Sequence, residues 1–482
     1  MQIHRTPLLL LLVLLPVLLA SPTPPCASDL DCSLNGACGA ATYTCTCRRG
    51  WKGSSCGVLD LRPSPAGVEA FHRPTTASWG GGVVFAEGAW HLFVAVMERH
   101  CGLDTWGSNS AVYKAVSSTS SPAGPYVNES RVLSHWAHSP RVTQTPDGTY
   151  VVWHVGCGGG DNSSLTNCTN GTTPGTGPPP VHVRQGGGDG GGDGGDGGDG
   201  GDDGEGDGQT PANTPSCKAI NALTSHSIEG PWTERSIVDA TALPYLRSAL
   251  DDPAPLVFPN GTTWIIGRSW NDPWPKGGGR TPMGVARSVS TSAGAGAGDG
   301  DGAGDRDSDG DSDSDGDRDG DSTLRTTTNE PTTTGSTNPW EMTYVVDPVT
   351  IPQYRNTSAF AAHHAPEYIA GEDDFVWIDE TSGTFHLLFH SMEGTCSQEY
   401  GDNEAGCHAF SEDGYQWILG NEPAYNSTIH YSDGKHKSVA RRERPLLVFD
   451  RDGGFPTHLM TANQDSWFSD HTYTHIQPLG GD

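Results

Sequence analysis

The sequence predicts a nearly all-β protein: a five-bladed β-propeller preceded by a small disulfide-rich module. Three observations predict it. An apolar strand, a Gly-centred turn and a second apolar strand recur five times. The copies are VVFAEGAWHLFVAVM (83–97), RVTQTPDGTYVVWHV (141–155), PLVFPNGTTWIIGRS (255–269), FVWIDETSGTFHLLFHS (375–391) and PLLVFDRDGGFPTHLMTA (445–462). A Ser-rich turn closing on Gly or Gly-Pro and an aromatic follows most copies, as SSTSSPAGPY, TSHSIEGPW and FSEDGYQW. Six of the twelve cysteines fall within residues 26–56. Short strands alternate with polar turns, without helical periodicity.

The chain opens on Arg5 and a Leu-rich run over 8–19, broken by Pro16 and ending at Ala20. That run is too short to span a bilayer and reads as a secretory signal over residues 1–20, cut after Ala20. No other stretch is apolar enough to cross a membrane, so the mature protein is expected to be secreted and extracellular, with no membrane span after signal cleavage. Seven N-x-S/T sequons, at Asn128, Asn162, Asn167, Asn170, Asn260, Asn356 and Asn426, agree with that route. So does a set of cysteines that can all pair in an oxidising compartment.

Cys26, Cys32, Cys38, Cys45, Cys47 and Cys56 are spaced C-x5-C-x5-C-x6-C-x-C-x8-C, with Gly50 and Trp51 before the last. The count alone leaves fifteen connectivities. The C-x-C followed by Gly-Trp and a final Cys resembles an EGF-like module over 26–56. The resemblance implies the pairs Cys26–Cys38, Cys32–Cys45 and Cys47–Cys56. So short a segment cannot build an adequate core, and the bridges must supply its stability. The segment before the first Cys reads SPTPPC and lacks the acidic pattern of calcium-binding modules, so no calcium is expected there.

The repeat occupies 57–482. A hairpin alone cannot bury its apolar face, so hairpins of equal size must pack on one another, and a ring of sheets is the usual solution. Each repeat holds four strand-like runs, the Ser-Gly-aromatic turn joining the outer pair. In the third repeat that turn is split between ARSVSTSAG and NPW at Trp340, with an acidic Asp-Gly tract inside it. Inserts at 186–212 and 292–338 have too few apolar residues to offset the entropy of ordering, and surface turns tolerate such insertions. Residues 186–208 and 292–322 together carry −17 of the net charge of −30. The folded part is therefore only mildly acidic, and nucleic acid, which needs a basic face, is excluded as a partner. DRDSDG and DSDSDG in the second insert begin like calcium loops, but their twelfth positions are Gly316 and Ser322 rather than a bidentate Glu. Among the later cysteines, Cys396 and Cys407 flank a short loop and are expected to pair. A Cys168–Cys217 bridge would pin the base of the first insert.

The hairpins and their Gly-Pro-aromatic turns, together with LDDPAP and GEDDFVWID, resemble five-bladed propellers of glycoside hydrolase family 43, within the arabinanase, levansucrase and invertase superfamily. GEDDFVWID, HAFSEDGYQW and RRERP resemble a divergent branch found in eukaryotic secreted proteins. The resemblance implies one acid on the innermost strand of each of three blades. Two carboxylates must flank the scissile bond, ~5–5.5 Å apart for retention or ~6.5–9.5 Å for inversion. By this resemblance Glu372 is the general acid, and Asp252 or Asp251 tunes it, Asp252-Pro253 matching the family's Asp-Pro. The first blade departs from the pattern: ASWGGG at 77–82 holds no acid, and the first carboxylates beyond the hairpin are Glu98 and Asp104.

Trp90, Trp153, Trp264 and Trp377 lie within hairpin strands and are expected to pack between blades. Trp106, Trp270 and Trp274 lie in loops, where a flat ring can stack on a sugar. His138 and Arg444 are further candidates for substrate contact, one of Arg441, Arg442 and Arg444 projecting into the funnel. His100, His138, His363 and His364 lie near funnel strands, and in related propellers a central His helps hold a structural metal ion in the axial channel. No zinc spacing or phosphate-cradling loop occurs, and no cofactor is expected. The expected partner is a carbohydrate or an extracellular matrix or cell-surface glycoprotein. The missing first-blade acid favours recognition without turnover; the alternative is a glycoside hydrolase or glycosyl transferase using Glu372.

Overall fold

The structure is a computed structural model that describes residues 26–156, 158, 165–169, 220–238, 250–269, 283–289, 343–348, 371–391, 396, 406–420, 422–450 and 454–481. The signal segment, both acidic inserts, Trp270, Trp274, His363 and His364 lie outside the described residues. In the N-terminal region, β1 (Gly36–Cys38) pairs with β2 (Cys45–Cys47), and β3 (Trp51–Lys52) pairs with β4 (Val58–Leu59). Its bridges are Cys26–Cys38, Cys32–Cys45 and Cys47–Cys56. Cys26, Cys32 and Cys56 are almost fully buried, so sulfur replaces the apolar core this short segment lacks.

The rest is nearly all β. The first four-stranded sheet holds β5 (Ser78–Ala86), β6 (Ala89–Met97), β7 (Ser110–Ser117) and β8 (Tyr126–Leu133). The second holds β9 (His138–Gln144), β10 (Tyr150–Val155), β11 (Ile220–Ser225) and β12 (Thr233–Val238). The third holds β13 (Leu250–Val257), β14 (Thr263–Ser269), β15 (Met283–Val289) and β16 (Thr343–Pro348). The fourth holds β17 (Gly371–Ile378), β18 (Phe385–Ser391), β19 (Gly406–Ser411) and β20 (Ile418–Leu419). A ribbon of β21 (Thr428–His430) and β22 (His436–Ser438) leads to a three-stranded sheet of β23 (Arg441–Phe449), β24 (Pro456–Gln464) and β25 (Thr472–Pro478). All five predicted hairpins are present as antiparallel pairs. In the first, Glu87 and Gly88 both take positive φ, as a two-residue hairpin turn whose twist matches its strands requires.

The sheets form a propeller, but not of five equal blades: among the described residues four sheets have four strands and the last has three. Among the described residues the N-terminal segment meets the outer edge of the last sheet, β25, at an isolated bridge from Phe71 to Thr474 and at a 2.8 Å bond from the Arg62 N–H to the Pro478 carbonyl, and a bridge from Leu61 to Leu479 lies just beyond. The Ser64 N–H donates instead to the His430 carbonyl, also at 2.8 Å, so the segment leaves β25 before a regular fourth strand forms. The bridges nonetheless cover an edge that would otherwise be open.

Strand alternation explains the ring. In β10, Val151, Trp153 and Val155 face the third sheet with Ile265, whereas Val152 faces the first with Phe93. In β6, Leu92, Val94 and Val96 face Leu446, Met460 and Ile476 of the last sheet. Ile266, Val376, Leu387, Phe389 and Trp417 join the third sheet to the fourth. Trp377, Leu388, Leu447 and Leu459 join the fourth to the last, with Trp51 and Leu59 of the N-terminal region. Inner strands bury both faces, which is why the hairpins read as near-continuous apolar runs.

The N-terminal region sits against the hairpin turns of the last two sheets. Arg48 forms an ion pair with Asp379, Trp51 stacks on Trp377 with ring centroids 6.3 Å apart, and a Cβ on Gly50 would lie 2.9 Å from Pro456. Cys396 pairs with Cys407 as expected. The Cys168–Cys217 expectation is corrected: Cys168 pairs with Cys101. Asn109, whose amide donates to the Thr166 carbonyl at 2.7 Å, and the 3.2 Å bond from the Cys168 N–H to the Arg99 carbonyl hold the two loops together. Among the described residues, no helix is long and apolar enough to cross a membrane.

Candidate functional site

Each innermost strand slips register near its start, by a bulge between Trp79 and Gly82, Asp251 and Ala254, Glu372 and Phe375, and Glu443 and Leu446; β9 does so opposite Trp153 and Val155. Each irregularity holds a residue with φ between 50° and 65°: Gly80 (64°, followed by Gly81 at 149°), Ser139 (51°), Asp252 (52°), Asp373 (63°) and Arg444 (56°). Bulges re-aim side chains, and these five meet. A non-Gly residue there costs on the order of 1–3 kcal/mol and persists only where its surroundings over-determine it. Here the surroundings are the other four sheets.

Arg444 is the hub. Its Nη1 donates to Asp252 Oδ1 at 2.5 Å and also to Ser139 Oγ. Its Nε lies 3.0 Å from Asp373 Oδ1, and its backbone N–H donates to Asp373 Oδ2 at 3.2 Å. Ser139 Oγ in turn donates to Asp252 Oδ1 at 2.7 Å. A Cβ on Gly80 would lie 2.6 Å from Arg444 Cδ, so the first sheet must place glycine here. Asp252, Asp373, Ser139 and Arg444 are all buried.

One position earlier on two strands stand Glu372 and Glu443, on either side of His390 of β18. Glu372 Oε1 is 3.3 Å from His390 Nδ1, and Glu443 Oε1 is 3.8 Å from His390 Nε2. Burial alone would disfavour the imidazolium, but Glu443 and Glu372 outweigh it and push His390 up to about 10. Burial, reinforced by Asp252 and Glu372 and opposed by Arg444, holds Asp373 well above the ordinary carboxylate range. Asp374 is fully buried, and neither carboxyl oxygen has a hydrogen-bond partner among the described residues. Burial and then the carboxylates of Asp252 and Asp373 raise it strongly, which favours its neutral form. Arg141 donates to the Gly81 carbonyl at 2.6 Å and is lowered to about 10 by burial and by Arg444.

Glu372, Asp373, His390 and Glu443 each bring one ligand atom within 4.8 Å of the others. Three carboxylates and an imidazole suit a hard divalent cation such as calcium or manganese, in competition with the proton on His390.

Of the sequence-predicted residues, Glu372, Asp252, Arg444 and His138 converge here. His138 Nδ1 lies 2.7 Å from Ser110 Oγ and its Nε2 lies 3.4 Å from Arg444 Nη2. Burial, and secondly Arg444, holds it well below the usual histidine range, hence neutral. The Trp106 ring lies 5.3 Å from that of His138, at the edge of the network. The Asp251 side chain, Trp270 and Trp274 lie outside the described residues. His100 binds Thr75 instead, and Glu98 accepts from the Tyr113 hydroxyl and Arg131, so it does not replace the missing first-sheet acid. Sequence reasoning missed Ser139, Asp374, His390 and Glu443. A signal was present: Ser139, Asp252 and Arg444 are each followed directly by a proline, one to three residues before their hairpin repeats begin.

No family model matches the chain, and no curated protein does. Among solved structures it is similar to a thermostable family-43 glycoside hydrolase, at 11% identity and a TM-score of 0.45, covering 88% of this chain and 93% of that one. It is also similar to an α-L-arabinofuranosidase from Lactobacillus brevis, at 10% identity and a TM-score of 0.42, over 85% and 94% of the two chains. An endo-arabinase from Bacteroides thetaiotaomicron matches at 10% identity and a TM-score of 0.41, over 85% and 97%. Likeness at this level leaves activity unassigned.

Proposed function

We propose that this is a secreted glycoprotein, with an EGF-like module over 26–56 and a propeller that recognises extracellular carbohydrate through its axial acids without turning it over. One observation carries the reading. Where hydrolysis needs a second free carboxylate across from Glu372, the first sheet supplies Gly80, and the space beside it is taken by Arg444, already paired with Asp252 and Asp373. Carboxylates held in this way remain acceptors for sugar hydroxyls but are poor nucleophiles or bases.

A second reading has its own support. Glu372 and Glu443 place carboxylate oxygens within 4.8 Å of each other, near the separation of a retaining pair, ~5–5.5 Å. In that case the chain hydrolyses or transfers a glycosidic bond with Glu372 as general acid. A glycan array combined with an aryl-glycoside panel, run on wild type and Glu372→Gln, separates the two. Glycan binding with no turnover in either protein is expected; turnover by wild type that Glu372→Gln abolishes would establish the second reading.

A further inference from the structure

We infer that Trp467 and Phe468 form a sugar-stacking platform on the rim of the axial site, a subsite for a second unit of the same glycan. The inference rests on the carbohydrate reading above and deepens it. Trp467 is 47% exposed and Phe468 64%, which makes Phe468 the most exposed large apolar side chain among the described residues. They sit in the loop joining β24 to β25. Because Gln464 pairs with both Arg441 and Thr472, this loop emerges at the end where the innermost strand β23 begins, the end that carries the acids.

A continuous line of contacts runs inward. The Arg441 guanidinium lies over the Trp467 ring, 5.2 Å from its centroid. Arg441 Nε is 3.9 Å from Glu443 Oε1, which is 3.8 Å from His390, itself 3.3 Å from Glu372. The N-terminal disulfide-bonded region sits at the opposite, hairpin-turn end.

The loop is pre-ordered. Asp465 accepts from Lys437 at 2.6 Å and from the Tyr473 hydroxyl at 2.8 Å. Gln464 Nε2 donates to the Ser469 carbonyl at 2.5 Å, and the Asp470 carbonyl accepts from the Leu103 N–H at 2.8 Å. A backbone pinned at this many points, with its two largest apolar side chains turned to water, is built to present them rather than to bury them.

The occupant follows from the chemistry. A sugar ring offers an apolar C–H face to an indole and hydroxyls to carboxylates and a guanidinium, and this rim supplies both kinds of partner. The acids within repel phosphates and anionic lipid headgroups. Two side chains are also far short of the roughly 800 Å² per partner that a stable protein interface needs.

The test uses the full-length secreted chain. Trp467→Ala, Phe468→Ala and Trp467→Phe are compared with wild type on a printed glycan array, then by titration with the free oligosaccharide giving the strongest array signal. Tyr415→Ala, an exposed aromatic elsewhere, serves as control. Both alanine variants change exposed side chains, and thermal melts check that they fold. The expected result is a loss of about tenfold in affinity for each alanine variant, with Trp467→Phe largely retained and Tyr415→Ala unchanged. If wild type and the alanine variants bind alike, the platform is overturned while the carbohydrate reading stands. If wild type binds nothing on the array, both fall. If wild type self-associates in sedimentation and the double alanine variant does not, the patch is a contact between copies of the chain and the platform is likewise overturned.

Discussion

His390 sets the electrostatics of the axial site. It is buried between two carboxylates, and its folded pKa of about 10 lies above the unfolded value of 6.5. The folded state therefore holds a proton that the unfolded chain releases. This contribution to stability is fully present below pH 6.5 and is lost as pH rises through about 10. The melting temperature should fall across that window, and His390→Gln should flatten the decline. An identical alkaline profile in the variant would show that the imidazolium contributes nothing. The same residue governs any cation at Glu372, Asp373 and Glu443, since a metal ligand at His390 must first lose its proton.

At the scale of the element, the bulge is the unit that matters. Without it, the pleat of each innermost strand would alternate side chains between neighbouring sheets. With it, one residue per strand turns inward and five strands share one polar centre. Arg444→Met would leave Asp252 and Asp373 buried without their cation, a change worth about 3–5 kcal/mol. Denaturant unfolding should show that loss, whereas a loss below about 1 kcal/mol would mean the centre tolerates unpaired charge. These elements were legible in part. The five hairpins could be read because middle strands bury both faces. The bulges could not, because a slip of one residue leaves the apolar pattern intact on either side. Asp252 and Glu372 stood out as carboxylates, but Glu443 lay within a run of arginines and His390 in an otherwise apolar strand.

At the scale of the molecule, several buried or half-buried histidines are held neutral, chiefly by desolvation. His386 and His475 are lowered to about 3, and His154 and His458 to about 4. His386 contacts His408 at 3.1 Å, and the His408 ring lies 4.8 Å from that of Trp51, so this pair underlies the seat of the N-terminal region. Their folded values lie below 6.5, so the stability they contribute is complete above that pH and is lost as pH falls through about 3–4. Acidification from pH 6.5 to 4 should lower the melting temperature and alter Trp51 fluorescence as its seat loosens. A flat profile over that range would contradict this account.

Local order was written into the chain: strand alternation and turn glycines are short-range properties, and they specified the hairpins and the all-β class, whereas the N-terminal disulfide pairs followed only from the resemblance to an EGF-like module. Which polar groups meet was decided by closure of the ring, because Gly80, Ser139, Asp252, Asp373 and Arg444 belong to different sheets and become neighbours only there. The partner of Cys101, the three-stranded last sheet and the filling of the first-sheet position by Arg444 depend likewise on contacts between segments far apart in sequence, to which no local pattern is sensitive.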